Sequence, residues 1–573
     1  MKKNMRMLSL ILALLLLLGL TGCSSNNQPV YFRIALGESD SCNPFYGYKT
    51  SAYYVFSLVY DTLFEYDESH ENINYKLLKS MDVSDDGLTY TLHVRDDIQW
   101  QDGEKLTADD VAFTLQMTPQ YSYAFTYDTA NINPDSVAVV DESTVQFQVY
   151  EDANGFLEYL SGIPVVPKHI WDQYLSSDNP DSVYEVEPTP ENMVGTGLYK
   201  FYSADETSCV LQLNKNYWGG TSAADVVVLE YKLADDSLLA ALQSGELDGA
   251  QSVTASAVDT VKADKNLDCV YGLTFGFEGI GFNLHDISAG ATENPALLNR
   301  TVRQAIDYCV PRKYLSEMAY GGLGMPGSSF LNPNSIGYYD IAANYEGYRD
   351  GDAADNVDRA IALLEGAGFT LNAAGQPYGE ADRTAQAVRY NADGQNLQFR
   401  LFIESDKVDD DSAASLIQKE CAEAGIGIEI SRYDQSTLWS YTDALDYDMY
   451  IIEWGGYVDP DFACALFAWD DGKFDYAGDG YNDSGYSNLQ YDDLYYQQRY
   501  THDPAERVRI LEEMQKIIYD DVPYIILGDY YYAQVINSSR WSGYKQLPAF
   551  SDCGMIFDQT SFRYNLLHMT YHG

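Results

Sequence analysis

Apolar and polar positions along the chain switch between two periods. Val30-Tyr31-Phe32-Arg33-Ile34-Ala35-Leu36 is rich in β-branched and aromatic residues and predicts a strand. After Asn43-Pro44 the spacing changes: Val55, Leu58, Val59 and Leu63 recur at three and four residues, as on one helix face. Thr89–Arg95 alternates as a strand does. Thr107 then fits a helix N-cap, with Asp110 at the third helical position, ahead of Val111, Phe113 and Leu115. The same patterns predict helices over Ser237–Ser244, Leu298–Tyr308, Val357–Gly366, Ala413–Ala424 and Pro504–Tyr519. They predict strands over Asp225–Leu233, Leu397–Ile403, Ile426–Ser431 and Asp448–Ile452. Strands and helices alternate without a short repeat, which defines a mixed α/β class. Tyr345–Asp355 and Asp470–Asn488 read as surface loops.

The start of the chain follows another logic. Lys2, Lys3 and Arg6 precede an apolar run from Leu8 to Leu20, shorter than the roughly 20 residues a membrane span needs. Leu20-Thr21-Gly22-Cys23 follows, then the polar tether Ser24-Ser25-Asn26-Asn27-Gln28. Small residues before a Cys at this point resemble the lipobox of bacterial lipoproteins. The resemblance implies lipidation of Cys23, cleavage before it, and an acyl anchor that holds the domain on a membrane, facing the extracellular space or periplasm. The alternative is a plain signal peptide with a chance Cys. Cys42, Cys209, Cys269, Cys309, Cys421, Cys464 and Cys553 remain, an odd set without a C-x-x-C pair, which argues against a metal site or a disulfide scaffold but leaves room for one disulfide.

Composition narrows the function. Among 573 residues, 86 Asp and Glu stand against 35 Lys and Arg, a net charge of −51 that repels nucleic-acid phosphates and anionic headgroups. Apolar residues make up 46%, enough for a buried core, and the length calls for roughly two to four packing units. The 50 tyrosines include the clusters Tyr53-Tyr54, Tyr495-Tyr496 and Tyr530-Tyr531-Tyr532, candidates for an aromatic cleft or for core edges. Enzyme motifs fail at the residue that matters. His70-Glu71 begins like a zinc-protease helix, but Asn74 stands where the second His belongs. Gly485-Tyr486-Ser487-Asn488-Leu489 lacks the closing glycine of a nucleophile elbow. Two carboxylates suffice for a glycosidase, so a surface glycoside hydrolase stays open as an alternative.

The most specific string runs from Val83-Ser84-Asp85-Asp86-Gly87-Leu88-Thr89-Tyr90-Thr91-Leu92-His93-Val94-Arg95-Asp96 through Trp100-Gln101-Asp102-Gly103-Glu104-Lys105-Leu106-Thr107-Ala108-Asp109-Asp110-Val111. Val165–Trp171, Gly195–Tyr199, Asn214–Trp218, Ala240–Asp248, Gly281–Leu284, Val302–Ile306, Glu453-Trp454 with Asp459-Pro460, and Asp520–Pro523 follow in order. Together they resemble the family 5 extracellular solute-binding proteins, the peptide, oligopeptide and nickel receptors of ABC importers. The resemblance implies an α/β, two-lobed periplasmic-binding-protein-like fold (class II, cluster C type) with an extra domain inserted in the first lobe. The lipobox resemblance places a signal peptide at 1–22 and a lipidated tether at 23–28. The first lobe is expected over 29–65, 190–280 and 510–573, the inserted domain over 66–189 and the second lobe over 281–509. The family resemblance further implies a monomer that is not an enzyme and needs no cofactor or metal, closing on a peptide or other small solute and docking on membrane permease subunits, with no nucleic-acid partner. An oligosaccharide receptor is the main competitor within that fold. Nickel uptake is disfavoured because no His-rich or Cys-rich cluster stands out.

In peptide-binding members of that family, an Asp a few residues after the Trp of the Trp454–Pro460 segment pairs with the ligand ammonium. Here that position falls at Gly456 or Tyr457, and neither supplies an anion. The candidate ligand-binding residues are Tyr48 and Lys49 on the loop after Pro44, Asn283, Trp454 as a stacking wall, Gly456, Tyr457 and Asp459. Each has a plainer alternative: Lys49 as a solvated lysine, Asn283 as a core hydrogen-bonder, Asp459 as the N-cap of a helix that begins at Pro460.

Overall fold

A computed structural model describes residues 28–47, 49–121, 131–175, 179–285, 294–405, 407–469 and 482–573. Cys23 and Tyr48 lie outside the described residues, as does most of the predicted 470–488 loop. The Val83–Val111 string folds locally as its residues dictate. Ser84 and Asp86 close the turn, with the Leu88 N–H donating to Asp86 Oδ1 at 3.1 Å, and Gly87 supplies the left-handed φ of +73°. Thr89–Val94 then alternates in burial, and Asp110 Oδ2 accepts from the Thr107 N–H at 3.0 Å to open the helix Ala108–Met117. That strand sits in a four-stranded antiparallel sheet with Leu78–Val83, Ile132–Asp141 and Thr144–Val149, the sheet of the inserted domain.

The two lobes share one twelve-stranded sheet. In the first lobe, Tyr31–Ala35 runs parallel to Val226–Glu230 and to Gly249–Ala250. In the second, Gln398–Glu404 runs parallel to Gly427–Tyr433 and Met449–Trp454. The 14-residue strand Tyr524–Asn537 joins them. Its first half pairs with Phe277–Phe282 in the second lobe, and its second half pairs with Leu267–Leu273 in the first. The crossing points are therefore residues 274–276 on one strand and 528–530 on the other.

This corrects one expected boundary. Helix Pro504–Asp521 buries Ile510, Leu511, Met514 and Ile518 in the second-lobe core, so the chain returns to the first lobe near residue 529 and not at 510. Elsewhere the expected elements form with ends shifted by a few residues. Val408–Ala424 starts five residues early, with Asp409, Asp410 and Asp411 in its first turn, where the helix dipole favours acids. The inserted domain and the first lobe share one continuous apolar core, from Phe32 and Tyr54 to Leu92, Phe147 and Trp171. The seven described cysteines are free thiols. Among the described residues, no helix is long and apolar enough to cross a membrane.

Candidate functional site

The carboxyl ends of the parallel strands in both lobes meet at the crossing strands, the position where open α/β sheets receive ligands. Trp454, the last residue of Met449–Trp454, is half-buried there, and its indole N–H donates to the Tyr524 hydroxyl at 3.2 Å. Tyr524 is in turn bonded at 3.0 Å to Tyr450 and at 2.6 Å to the buried Asp483 carboxylate. The ring is thus held by a buried hydrogen-bonded chain as well as by packing.

The segment after Trp454 explains the missing acid. A side chain at Gly456 would place its Cβ 2.2 Å from the Phe275 carbonyl, and one at Gly276 would sit 2.0 Å from the Trp454 carbonyl. Two backbones therefore pass in contact at the hinge, and neither position has room for an Asp. The Tyr457 ring stands edge-on to Tyr159 of the inserted domain (5.5 Å between centroids) and to Phe462 (6.0 Å). Asp459 is buried and clasped by Arg507 at 2.6 and 2.8 Å, and its Oδ1 accepts from the Asp461 N–H at 3.0 Å. The helix Asp461–Ala465 begins one residue later than expected, with Pro460 and not Asp459 in the N-cap position, and the Asp459 charge is spent on Arg507. Asn283 is fully buried, with its amide donating to the carbonyls of Leu445 and Tyr447 at 2.9 Å each, so it ties down second-lobe backbone. Lys49 pairs with Glu38, whose carboxyl it holds below the usual range, at the start of helix Thr50–Val59.

Sequence reading passed over the residue before Trp454. Glu453 is exposed, and its charge, ahead of burial, pushes the phenol of Tyr532 on the first-lobe half of the crossing strand far up. Lys407 lies 3.9 Å from both Glu453 and Glu404. Burial opposes the Lys407 charge, but Glu453, Asp410, Glu404 and Glu278 outweigh it and raise its pKa. Asp410 is pushed up to about 7 by burial, with Glu404 and Glu453 adding to the shift and Lys407 opposing it. One cation thus stands among several carboxylates on the second-lobe wall. The available signal was a charged residue in the penultimate position of an otherwise apolar strand. Of the tyrosine clusters, Tyr54 and Tyr495 are core residues, and Tyr532 is the member near the cleft.

At the outer rim, the inserted-domain loop 151–155 grips the second lobe. The Asn154 N–H donates to the Arg499 carbonyl at 2.8 Å, and its amide donates to the carbonyls of Gln498 and Thr501 at 2.9 and 2.8 Å. His502 bonds Asn154 Oδ1 at 2.9 Å and Asp152 at 3.0 Å, and the Tyr500 hydroxyl donates to Glu151 at 2.7 Å.

Residues 72–475 match the family described as bacterial extracellular solute-binding proteins, family 5 Middle, which is more than half of the chain. The chain therefore belongs to the family 5 extracellular solute-binding proteins. It is 29% identical over 269 residues to a protein of Brucella ovis named as an ABC transporter peptide-binding protein. That match covers 47% of this chain and 48% of the relative, so it spans about half the length of that protein. The dipeptide-binding protein of Escherichia coli is 23% identical over 499 residues, 82% of this chain and 83% of the relative. The fold matches the oligopeptide-binding protein AppA of Bacillus subtilis, solved with a nonapeptide, at a TM-score of 0.72 and 20% identity, covering 95% of this chain and all of that one.

Proposed function

We propose that this protein is a lipid-anchored receptor of an ABC importer that captures peptides between its lobes and delivers them to membrane permease subunits. The observation that carries this reading is the acid-rich wall, Glu453 beside Trp454, at the point where two strands cross between the lobes. The match over most of the chain to a protein named for dipeptides agrees with it. In this reading Glu453 takes the part of the acid that Gly456 has no room for and meets the peptide ammonium. Trp454 and Tyr532 stack on the adjoining residues. Lys49 meets the ligand from the first lobe, exchanging Glu38 for a carboxylate. The contacts of loop 151–155 with the second lobe hold the rim of the closed form. Binding without bond cleavage is the expected behaviour, and Cys23 carries the acyl chains.

Calorimetry of the mature domain against a panel from dipeptides to nonapeptides, with maltooligosaccharides as controls, tests the reading. Peptides should bind unhydrolysed, and Trp454→Ala should weaken them about tenfold or more, as loss of a central aromatic contact does. Binding of the sugars alone, or full affinity in Trp454→Ala, overturns it.

A further inference from the structure

A small cavity lies inside the second lobe. Arg312, Asp307, Ser328, Ser329, Gln515 and Tyr519 contribute to its lining. Arg312 is almost wholly buried. Its Nε donates to the Ile526 carbonyl at 2.8 Å and its Nη2 to Asp307 Oδ1 at 2.5 Å, but Nη1 is a buried donor with no acceptor in the protein. Arg349 uses the other oxygen of the same carboxylate, at 2.6 Å. Two buried guanidiniums therefore share one buried carboxylate, and the next acid, Asp520, is 3.7 Å from Arg349 and solvent-facing. The centre holds surplus positive charge in a setting that screens it poorly.

The neighbouring groups offer donors in place of acceptors. Gln515 Oε1 already accepts from the Ser329 hydroxyl at 2.7 Å and the Tyr339 N–H at 2.9 Å. Its amide donates to the carbonyls of Gly337 and Leu511. Ser328 Oγ accepts from the Ala342 N–H at 3.2 Å, and Tyr519 Oη accepts from the Arg349 N–H at 2.5 Å, which leaves each hydroxyl proton to donate. A water would bring two protons of its own into this lining, whereas a halide only accepts.

We propose that the cavity beside Arg312 is a binding site for a small monovalent anion of the size and charge of chloride. The surplus charge calls for an anion, and the lining supplies N–H and O–H donors to hold it. Bound there, the ion joins helix Arg312–Met318 to helix Pro504–Asp521 and stabilises the second lobe.

Melting of the intact mature protein in sodium chloride or bromide against sodium gluconate, at equal ionic strength, reads the site without the screening that any salt produces. Chloride and bromide should raise the midpoint saturably. Ser328→Ala, which deletes one hydroxyl, should weaken the apparent halide affinity about tenfold, the loss of one hydrogen bond to a charged group. Since Arg312 variants threaten folding, the second measurement uses the wild-type protein crystallised in bromide, where an anomalous peak within contact distance of Arg312 Nη1 is expected. Identical melting in halide and gluconate, or scattering by water alone at that position, overturns the proposal.

Discussion

Asp307 and Asp483 are both buried carboxylates of the second lobe, yet they are held by opposite means. Burial works against ionisation of Asp307, but Arg312 and Arg349 overcome it and keep its carboxyl below the usual range. Asp483 forms no ion pair with Lys or Arg among the described residues. Burial pushes it up to about 7, opposed by the Tyr524 hydroxyl at 2.6 Å and by the Ser484 and Asp483 backbone N–H groups. The first centre is a charged clamp; the second is a polar chain that ends on Trp454 in the cleft. The same residue type thus serves architecture where guanidiniums surround it and positions a ligand-facing ring where phenols do.

The strongest test of the difference is Asp307→Asn. It leaves two buried guanidiniums without their counter-charge, a change that removes about 3–5 kcal/mol in comparable buried pairs. Thermal melting at pH 7 should fall by roughly 5–10 °C. The pH dependence has a definite sign. A carboxyl with a lowered folded pKa contributes stability that is present above its unfolded value near 4 and is lost as pH falls through the folded value. The gap between wild type and variant should therefore be widest at neutral pH and narrow on acidification. A constant gap would show that Asp307 acts through packing alone.

How much of this was readable beforehand follows from the range of the interactions. The strand, turn and helix cap of Val83–Val111 close through neighbours a few residues apart, so residue type and spacing sufficed. The clamp brings Arg349 to Asp307 from 42 residues away, and Asp459 finds Arg507 48 residues away, distances at which periodicity carries no signal. Helix Pro504–Asp521 was recognisable as a helix, but which lobe its apolar stripe enters is decided by the fold. Gly456 read as a lost acid until the Phe275 backbone showed that no side chain fits.

Asp483→Asn should act in the opposite direction. Asn keeps an oxygen for the Tyr524 hydroxyl and cannot ionise. A carboxyl whose folded pKa is raised is stabilising below its unfolded value near 4, and that stability is lost as pH rises through about 7. At pH 8 the variant should be more stable than wild type, by up to about 4 kcal/mol as an upper bound from the shift, and the gain should vanish near pH 4. Denaturant melts across that window decide it. A loss at pH 8 comparable with that of Asp307→Asn would erase the distinction between the two centres.

Tyr524→Phe is the subtlest probe because its ring borders the Arg312 cavity while its hydroxyl serves only the other centre. At pH 6, where most of Asp483 is protonated, deleting that hydroxyl should destabilise by about 1 kcal/mol, the net worth of an ordinary hydrogen bond. The ring remains, so the Asp307 clamp and the acid limb of its stability profile should not change. Two other readouts should move. The Trp454 indole loses its acceptor, so its contribution to the near-ultraviolet circular dichroism, isolated by subtracting a Trp454→Phe background, should weaken. Asp483 loses the donor that lowers its pKa, so its titration should shift further up. Affinity for peptides should drop less than in Trp454→Ala, since the wall is loosened and not removed. An unchanged Trp454 signal alongside the shifted Asp483 titration would mean that packing against Phe462 orients the indole, and that the second centre is structural in the same sense as the first.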